Sequence, residues 1–183
     1  MLLLTAAGRG EREAMDAAIA AGADVNAVSG YGNSVLYNAC FADHRTAIAA
    51  LLARGADPNL RMTYRSPVDG RVEVGLVALM VCRSAAAVET LLAAGADPNV
   101  SDDHGSTPLM RAALAAGSDA VAMLMKAGAD PAAKDAAGRT AADRVRQRLS
   151  WQKEHWSALR QPVATERKRE LQTVLALLSS EHP

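Results

Sequence analysis

The chain has 183 residues and a mass of 19.1 kDa, which is enough for one domain or one short repeat array. Half of its residues are hydrophobic, with 40 Ala and 20 Leu but only six aromatic residues. The core therefore has to form by close packing of small side chains, which helices allow. Twenty basic and twenty acidic side chains cancel, so the overall composition speaks against a disordered chain and against charge-driven binding to nucleic acid or membrane.

We expect no targeting signal at the N-terminus. The longest apolar run there, residues 1–7, lacks a positively charged start and is shorter than a secretory signal. No apolar stretch reaches the length of about 18 residues that a transmembrane helix needs. A cytoplasmic protein without membrane contact is therefore expected, although secretion as an effector stays open.

A tripeptide, Gly-Ala-Asp, recurs along the chain. With spacings of 33, 40 and 33 residues, its copies begin at Gly22, Gly55, Gly95 and Gly128. An apolar helical face precedes each copy, so each Gly is expected to end a helix in the left-handed backbone region, before a tight turn. Three copies continue to Asn two positions after the Asp, whereas the fourth has Ala132 there.

A second motif lies in phase with the first. Residues 102–113 read Asp-Asp-His-Gly-Ser-Thr-Pro-Leu-Met-Arg-Ala-Ala, which predicts a turn, Thr107 as a helix cap and Pro108 at the first helical position. Related segments occupy residues 32–40 and 135–143. Their pairs of small residues would let neighbouring helices approach closely.

These two motifs resemble the ankyrin repeat, whose pattern is roughly D-x-x-G-x-T-P-L-H-x-A-A-x-x-G, then a second helix and G-A-D-V-N. The resemblance covers residues 2–146. It implies an all-α fold in which each unit has a turn, two antiparallel helices and a loop, and the units stack into a curved solenoid. We count about five units in a single domain, the first of which begins in its first helix: residues 1–27, 28–61, 62–101, 102–134 and 135–183.

The third unit departs from this pattern by about ten extra residues. Residues 62–75 contain Asp69-Gly70 between alternating apolar positions, which predicts a β-hairpin finger. An irregular insertion is the alternative, since long surface loops cost little free energy. The first helix of this unit is expected over residues 77–82.

The fifth unit predicts an elongated helical C-terminal cap. Its first helix runs on past residue 150 until Pro162 stops it, and a second helix is expected from a cap near Thr165, so residues 147–164 form an insertion. That second helix would bury a stripe made of Leu171, Val174, Leu175 and Leu178. We expect Trp151 and Trp156 to cover the end of the stack, with a second contact site as the alternative.

No pattern for catalysis or for metal binding is found. The four His residues have no metal-ligand spacing with the two Cys residues, and there is neither a nucleophile elbow nor a glycine-rich phosphate loop. We therefore expect no enzyme activity, no catalytic residue, no metal site and no cofactor. Cys40 and Cys82 are expected to be buried, reduced thiols.

The resemblance also implies where a partner would bind, because the turn tips and the exposed side of the first helices form the concave binding surface of such arrays. With the finger included, the predicted partner-binding residues are Tyr31, Asn33, Phe41, Tyr64, Arg65, Asp69, Arg71, Glu73, Asp103, His104, Ser106, Arg111, Leu114 and Arg139. Aromatic side chains are favoured interface anchors, although packing against the array is the alternative for Tyr31, Phe41 and Tyr64. Tyr37 is expected to be structural.

The leading interpretation is a monomeric, non-enzymatic module that binds another folded protein, as an inhibitor, an immunity protein or an effector aimed at host proteins. Its Ala- and Arg-rich composition is similar to that of small bacterial arrays. The alternative is binding of nucleic acid or an acidic surface, because residues 144–170 carry a net charge of +5 whereas residues 1–143 carry −4. Nucleic acid is less favoured, since Glu154, Glu166 and Glu170 offer helical ion-pair partners to the basic segment.

Overall fold

The computed structural model describes residues 2–115, 117–155 and 162–179. In chain order, its helices are α1 Leu2–Arg9, α2 Arg12–Ala20, α3 Val35–Phe41, α4 Arg45–Ala53, α5 Ala85–Ala93, α6 Pro108–Leu114, α7 Ser118–Lys126, α8 Ala141–His155 and α9 Pro162–Ser179. Strands β1 Met62–Arg65 and β2 Val72–Leu76 and a 3₁₀ turn, Ala78–Met80, lie between α4 and α5. Across these ranges, no helix combines the length and the apolar character needed to cross a bilayer.

The helices pack in two rows that follow the chain. In the inner row α1, α3, the 3₁₀ turn, α6 and α8 each contact the next element, and in the outer row α2, α4, α5, α7 and α9 do the same. Small side chains fill the inner row, where Ala7, Ala39 and Ala113 have no solvent exposure. Their size lets the helices approach closely, as the sequence predicts.

Local capping explains where the helices begin. The side chains of Ser34, Ser84 and Thr107 each accept a hydrogen bond from the backbone N–H three residues further on, at the starts of α3, α5 and α6. Thr140 and Asp143 cap α8 reciprocally. The glycines of the four Gly-Ala-Asp copies follow outer-row helices with φ between 86° and 89°, which confirms the predicted helix ends.

The Asn after each of the first three Gly-Ala-Asp copies joins its unit to the next. Asn59 accepts a hydrogen bond from the backbone N–H of Asp97 at 2.8 Å and donates one to the Gly95 carbonyl at 2.9 Å. Asn26 and Asn99 bridge their own neighbours in the same way. No Gly-Ala-Asp follows the fourth copy, so Ala132 stands at the one position where the Asn would have no such partner.

The extra residues of the third unit include a two-stranded antiparallel sheet. Thr63 lies opposite Val74, and Arg65 lies opposite Val72. The sheet continues the line of turn tips by backbone hydrogen bonds, because Arg65 donates to the Tyr31 carbonyl at 2.9 Å and Asp103 donates to the Val74 carbonyl at 3.1 Å. The insertion is thus anchored to the units on both of its sides.

Two helical predictions need correction. The helix expected over residues 77–82 is only the 3₁₀ turn Ala78–Met80, because Ser84 already caps α5 and leaves no room for a second turn. The second helix of the fifth unit begins at Pro162 and not after Thr165, which suits proline, since the first helical position needs no N–H partner. Its stripe is buried at Leu171, Val174 and Leu178, and Leu175 is half-buried.

At the end of the array, helix α8 continues to His155, and Trp151 on it is 57% exposed. That Trp151 covers the end of the stack stays a prediction. Trp156 lies outside the described residues.

Candidate functional site

A groove of about 840 Å³ runs along the sheet, the turn tips and the inner helices of the last three units. It brings together half of the predicted partner-binding residues, namely Arg71, Glu73, His104, Ser106, Arg111, Leu114 and Arg139. Its lining also includes charged residues that were not among the predicted binding residues, Asp102, Asp135 and Arg144. The groove therefore mixes acidic and basic side chains.

An ion-pair cluster around Arg111 forms the middle of the groove. Its Nη2 donates hydrogen bonds to Asp102 Oδ2 at 2.8 Å and to Glu73 Oε2 at 3.2 Å. Burial lowers the pKa of Arg111, but the hydrogen bonds and charges of Asp102 and Glu73 outweigh it and raise the pKa above its ordinary value. Since Glu73 lies on β2 and Arg111 on α6, this cluster ties the sheet to the next unit.

A second cluster surrounds Asp135 at the far end of the groove. Asp135 Oδ2 lies 2.8 Å from Nη2 of Arg139 and 3.8 Å from Nε of Arg144. The hydrogen bond from Arg139 lowers the pKa of Asp135, and hydrogen bonds from turn backbone groups lower it further. Arg144 also donates a hydrogen bond to Ser106 Oγ at 3.0 Å. The predicted binding residue Ser106 is itself buried, and its hydroxyl group holds Arg144 in place.

The two aspartates that organise these clusters also shape the turns. Oδ1 of Asp102 accepts hydrogen bonds from the backbone N–H groups of His104 and Ser106, and Asp135 does the same for Ala137 and Arg139. Both residues occupy the first position of the D-x-x-G-x-T motif. The motif was visible in the sequence, but it indicated a turn and gave no sign that the other carboxylate oxygen faces the groove.

A smaller pocket of about 420 Å³ continues the groove toward α8. We call it the arginine pocket, and its lining is Leu114, Arg139, Arg144, Gln147, Arg148 and Trp151. The last four lie at helical spacings of three and four residues, which places them on one face of α8. Burial lowers the pKa of Arg144; the charge of Asp135 opposes that effect, whereas the nearby charge of Arg139 adds to it.

Aromatic side chains form a row at the other side of the sheet. The Tyr37 ring stacks between Phe41 and Tyr64, with centroid distances of 6.2 and 6.4 Å, and the Arg83 guanidinium lies 5.2 Å from the Phe41 centroid. Burial, and then the charge of Glu73, raises the pKa of Tyr37 to about 12. Tyr37 is buried as expected, and Tyr64 packs on it, whereas Phe41 is 54% exposed.

The remaining predicted residues lie apart from the groove. Tyr31 and Asn33 border a separate pocket of about 410 Å³ beside α1. Arg65 and Asp69 are exposed on the sheet and its connecting turn, and Asp103 lies 3.9 Å from Arg61 in an exposed ion pair. The structure thus divides the predicted binding residues between the groove and sites nearer the N-terminus.

The described side chains offer no cluster of three or more His, Cys, Asp or Glu residues that could hold a metal ion. A hydrogen bond with Cys82 and burial raise the pKa of the Cys40 thiol, which disfavours the nucleophilic thiolate form. Cys82 is half-buried, so the expectation of two buried thiols holds for Cys40 alone.

Comparison with known proteins adds one positive finding. A family model described as ankyrin repeats (many copies) matches residues 82–145, a segment that includes the last two Gly-Ala-Asp copies and helix α6. No curated protein sequence matches the chain.

Proposed function

Because the chain belongs to the ankyrin repeat family, whose repeats are generally non-enzymatic protein–protein interaction modules, we propose that it binds a partner protein in the 840 Å³ groove. The carrying observation is the arrangement of charges there. Arg111 and Arg139 are each held by a carboxylate at 2.8 Å, and these side chains come from the turns and inner helices of successive units.

Fixed charges of both signs suit recognition of one particular partner. Side chains that are already held in place lose less conformational entropy when a partner binds. Complementary charges mainly favour the correct partner and its orientation, because a wrong partner would meet like charges. The exposed His104 and Arg71 border the groove and are available for contact.

A charge inversion at the rim of the groove tests this proposal. Arg71→Glu changes an exposed groove residue, and Arg45→Glu makes the same change on an exposed residue of the outer row. Both variants and the wild type would be used for affinity capture from lysate of the source cells, with quantitative mass spectrometry and circular dichroism as a folding control. We expect a protein that the wild type and Arg45→Glu capture and that Arg71→Glu loses. Equal capture by all three would place the site elsewhere.

The finer role that we propose is inhibition of the captured protein, either as an immunity protein or as an effector directed at a host protein. Such a protein would act by covering the partner's surface. Adding the purified chain to an activity assay of the captured partner distinguishes an inhibitor from a scaffold, because a scaffold leaves the activity unchanged. A cytoplasmic location and a monomeric state remain predictions.

Binding of nucleic acid is a second candidate, favoured by the face of α8 that carries Arg144, Arg148 and Trp151. Asp135, which contacts two of the groove arginines, and the acidic remainder of the chain oppose it. Retention on heparin at low salt that falls steeply as salt rises would support this candidate.

A further inference from the structure

The arginine pocket has a surplus of positive charge. Three guanidinium groups, from Arg139, Arg144 and Arg148, line it, and among the side chains that the structure describes no carboxylate does. The nearest carboxylate, Asp135, is shared between Arg139 and Arg144. Within the part of the chain that the structure describes, no hydrogen bond or ion pair engages the Arg148 side chain. Asp135 therefore contacts two of the three guanidinium groups, and Arg148 adds a positive charge to them.

Water screens one of these three charges, that of Arg144, poorly. The Arg144 side chain is only 18% exposed, and charges near a protein interior interact more strongly than charges in bulk water. Burial and the charge of Arg139 both disfavour the charged form of Arg144 and therefore lower its pKa. A further negative charge in the pocket would relieve both effects.

The pocket also has an apolar wall. Trp151, which is 57% exposed, and the half-buried Leu114 lie beside the arginines. An exposed tryptophan next to a cavity is a favoured anchor for apolar groups. The occupant that matches both features carries a carboxylate next to an apolar side chain.

The charges beyond the pocket favour a peptide over a nucleic acid. The adjoining groove contains Asp102, Asp135 and Glu73, and a polyanionic strand that left the pocket along the groove would meet these carboxylates. A protein segment with one acidic residue would not. Nucleic acid also tracks continuous positive surfaces, whereas the positive surplus here is confined to the end of the groove.

We propose that the arginine pocket binds an acidic residue and an apolar residue that lie two positions apart in an extended segment of the partner protein, so that both side chains point to the same side. This inference rests on the proposed function, because it names the part of the partner that enters the same groove. The carboxylate would lie between the Arg144 and Arg148 guanidinium groups, and the apolar side chain would cover the Trp151 ring.

Selection from a display library of short random peptides on the immobilised full chain tests the proposal without a known partner. Selected peptides would be labelled, and their affinities measured by fluorescence polarisation for the wild type, Arg148→Glu and Arg146→Glu. Arg146 is the matched control, because it lies on the same helix, pairs with Asp143 and is not part of the pocket. Circular dichroism would establish that each variant folds.

We expect the enriched peptides to share Asp or Glu with a large apolar residue two positions away. Replacing that acid by its amide, or introducing Arg148→Glu, should weaken binding about tenfold or more, the loss of one charge-assisted hydrogen bond. The Arg146→Glu control should stay within about twofold of the wild type. In a Trp156→Phe background, in which Trp151 is the sole Trp, peptide binding should shift the fluorescence to shorter wavelength.

Each other outcome overturns the inference. Peptides that lack an acid and are insensitive to Arg148→Glu, but that Arg71→Glu weakens, would leave the groove as the binding site and remove the acidic anchor. Failure to enrich any peptide over an Arg148→Glu control would mean that the pocket holds no such segment, while lysate capture would still decide the proposed function. Binding of random duplex DNA that Arg148→Glu abolishes, without peptide enrichment, would assign the pocket to nucleic acid.

Discussion

Replacing the turn glycines by alanine should reveal how closely neighbouring units approach. Gly32, Gly105 and Gly138 occupy the same position, two residues before a helix cap, with φ of 84°, 69° and 73°. A Cβ atom at Gly138 would meet nothing within 4 Å, and one at Gly105 would lie 3.1 Å from the backbone N of Ala136. At Gly32 it would lie 2.7 Å from the Thr63 carbonyl carbon and closer still to the carbonyl oxygen.

The expected loss of stability therefore rises along this series. All three variants incur the left-handed strain of a non-glycine residue, roughly 1–2 kcal/mol, offset by about 0.4–1 kcal/mol from the stiffer unfolded chain. Gly138→Ala should thus cost about 1 kcal/mol. Gly32→Ala must also displace β1, which breaks the hydrogen bond from Arg65 to Tyr31, a loss of about 1 kcal/mol, together with its packing. We expect a total of roughly 3 kcal/mol, with Gly105→Ala between the two.

Urea unfolding followed by circular dichroism would measure the free energy of unfolding of the three variants and the wild type. Because the backbone strain is common to all three, Gly138→Ala serves as the control for it. If Gly32→Ala destabilised the chain no more than Gly138→Ala, the close contact between the second unit and β1 would not exist in solution, and the proposed anchoring of the sheet would be wrong.

Three further predictions concern contacts between and within units. Asn59→Ala should lower the free energy of unfolding by about 1–2 kcal/mol, because it removes two inter-unit hydrogen bonds, whereas Ala132→Asn should change it by less than about 0.5 kcal/mol in the same urea titration. Asp135 has a lowered pKa in the folded chain, so its contribution to the free energy of unfolding is complete above the ordinary Asp pKa of about 3.9 and is lost as the pH falls through the lowered value. When unfolding is measured from pH 6 downward, the free energy of unfolding of Asp135→Asn should therefore fall less steeply with pH than that of the wild type. An equal fall in both would contradict this. Cys82 should react with iodoacetamide well before Cys40, whose thiol is buried and has a raised pKa; mass spectrometry of alkylated native protein would refute this if Cys40 reacted first.

The helices were predictable because their signals act over a few residues. Thr107 caps α6 by accepting a hydrogen bond from a backbone N–H three residues away, and Gly55 ends the path of α4 because its φ angle is positive. Such features need no knowledge of the rest of the fold. Prediction failed where a neighbouring element decided the outcome, as in the third unit, where the cap of α5 at Ser84 limits the preceding helix to a 3₁₀ turn.

The candidate site was predictable only in part. Arg111 and Arg139 were expected at the binding surface because of their positions in the motif, and both line the groove. The sequence places Arg144 in a basic segment and predicts that Trp151 covers the end of the stack. Their place in one pocket depends on which face of α8 points along the groove, and the charge count of residues 144–170 carries no information about that.

By itself, the sequence determined the period of the units, the ends of most helices and the identity of the turn-tip residues, because Gly, Pro, Ser and Thr at these positions favour particular backbone conformations locally. Only the tertiary structure decided which charges face one another. Arg111 meets Glu73 and Arg144 meets Ser106 across 38 residues of chain in each case. These contacts arise from the stacking of one unit on the next, so the groove and its arginine pocket exist only when the units are packed together.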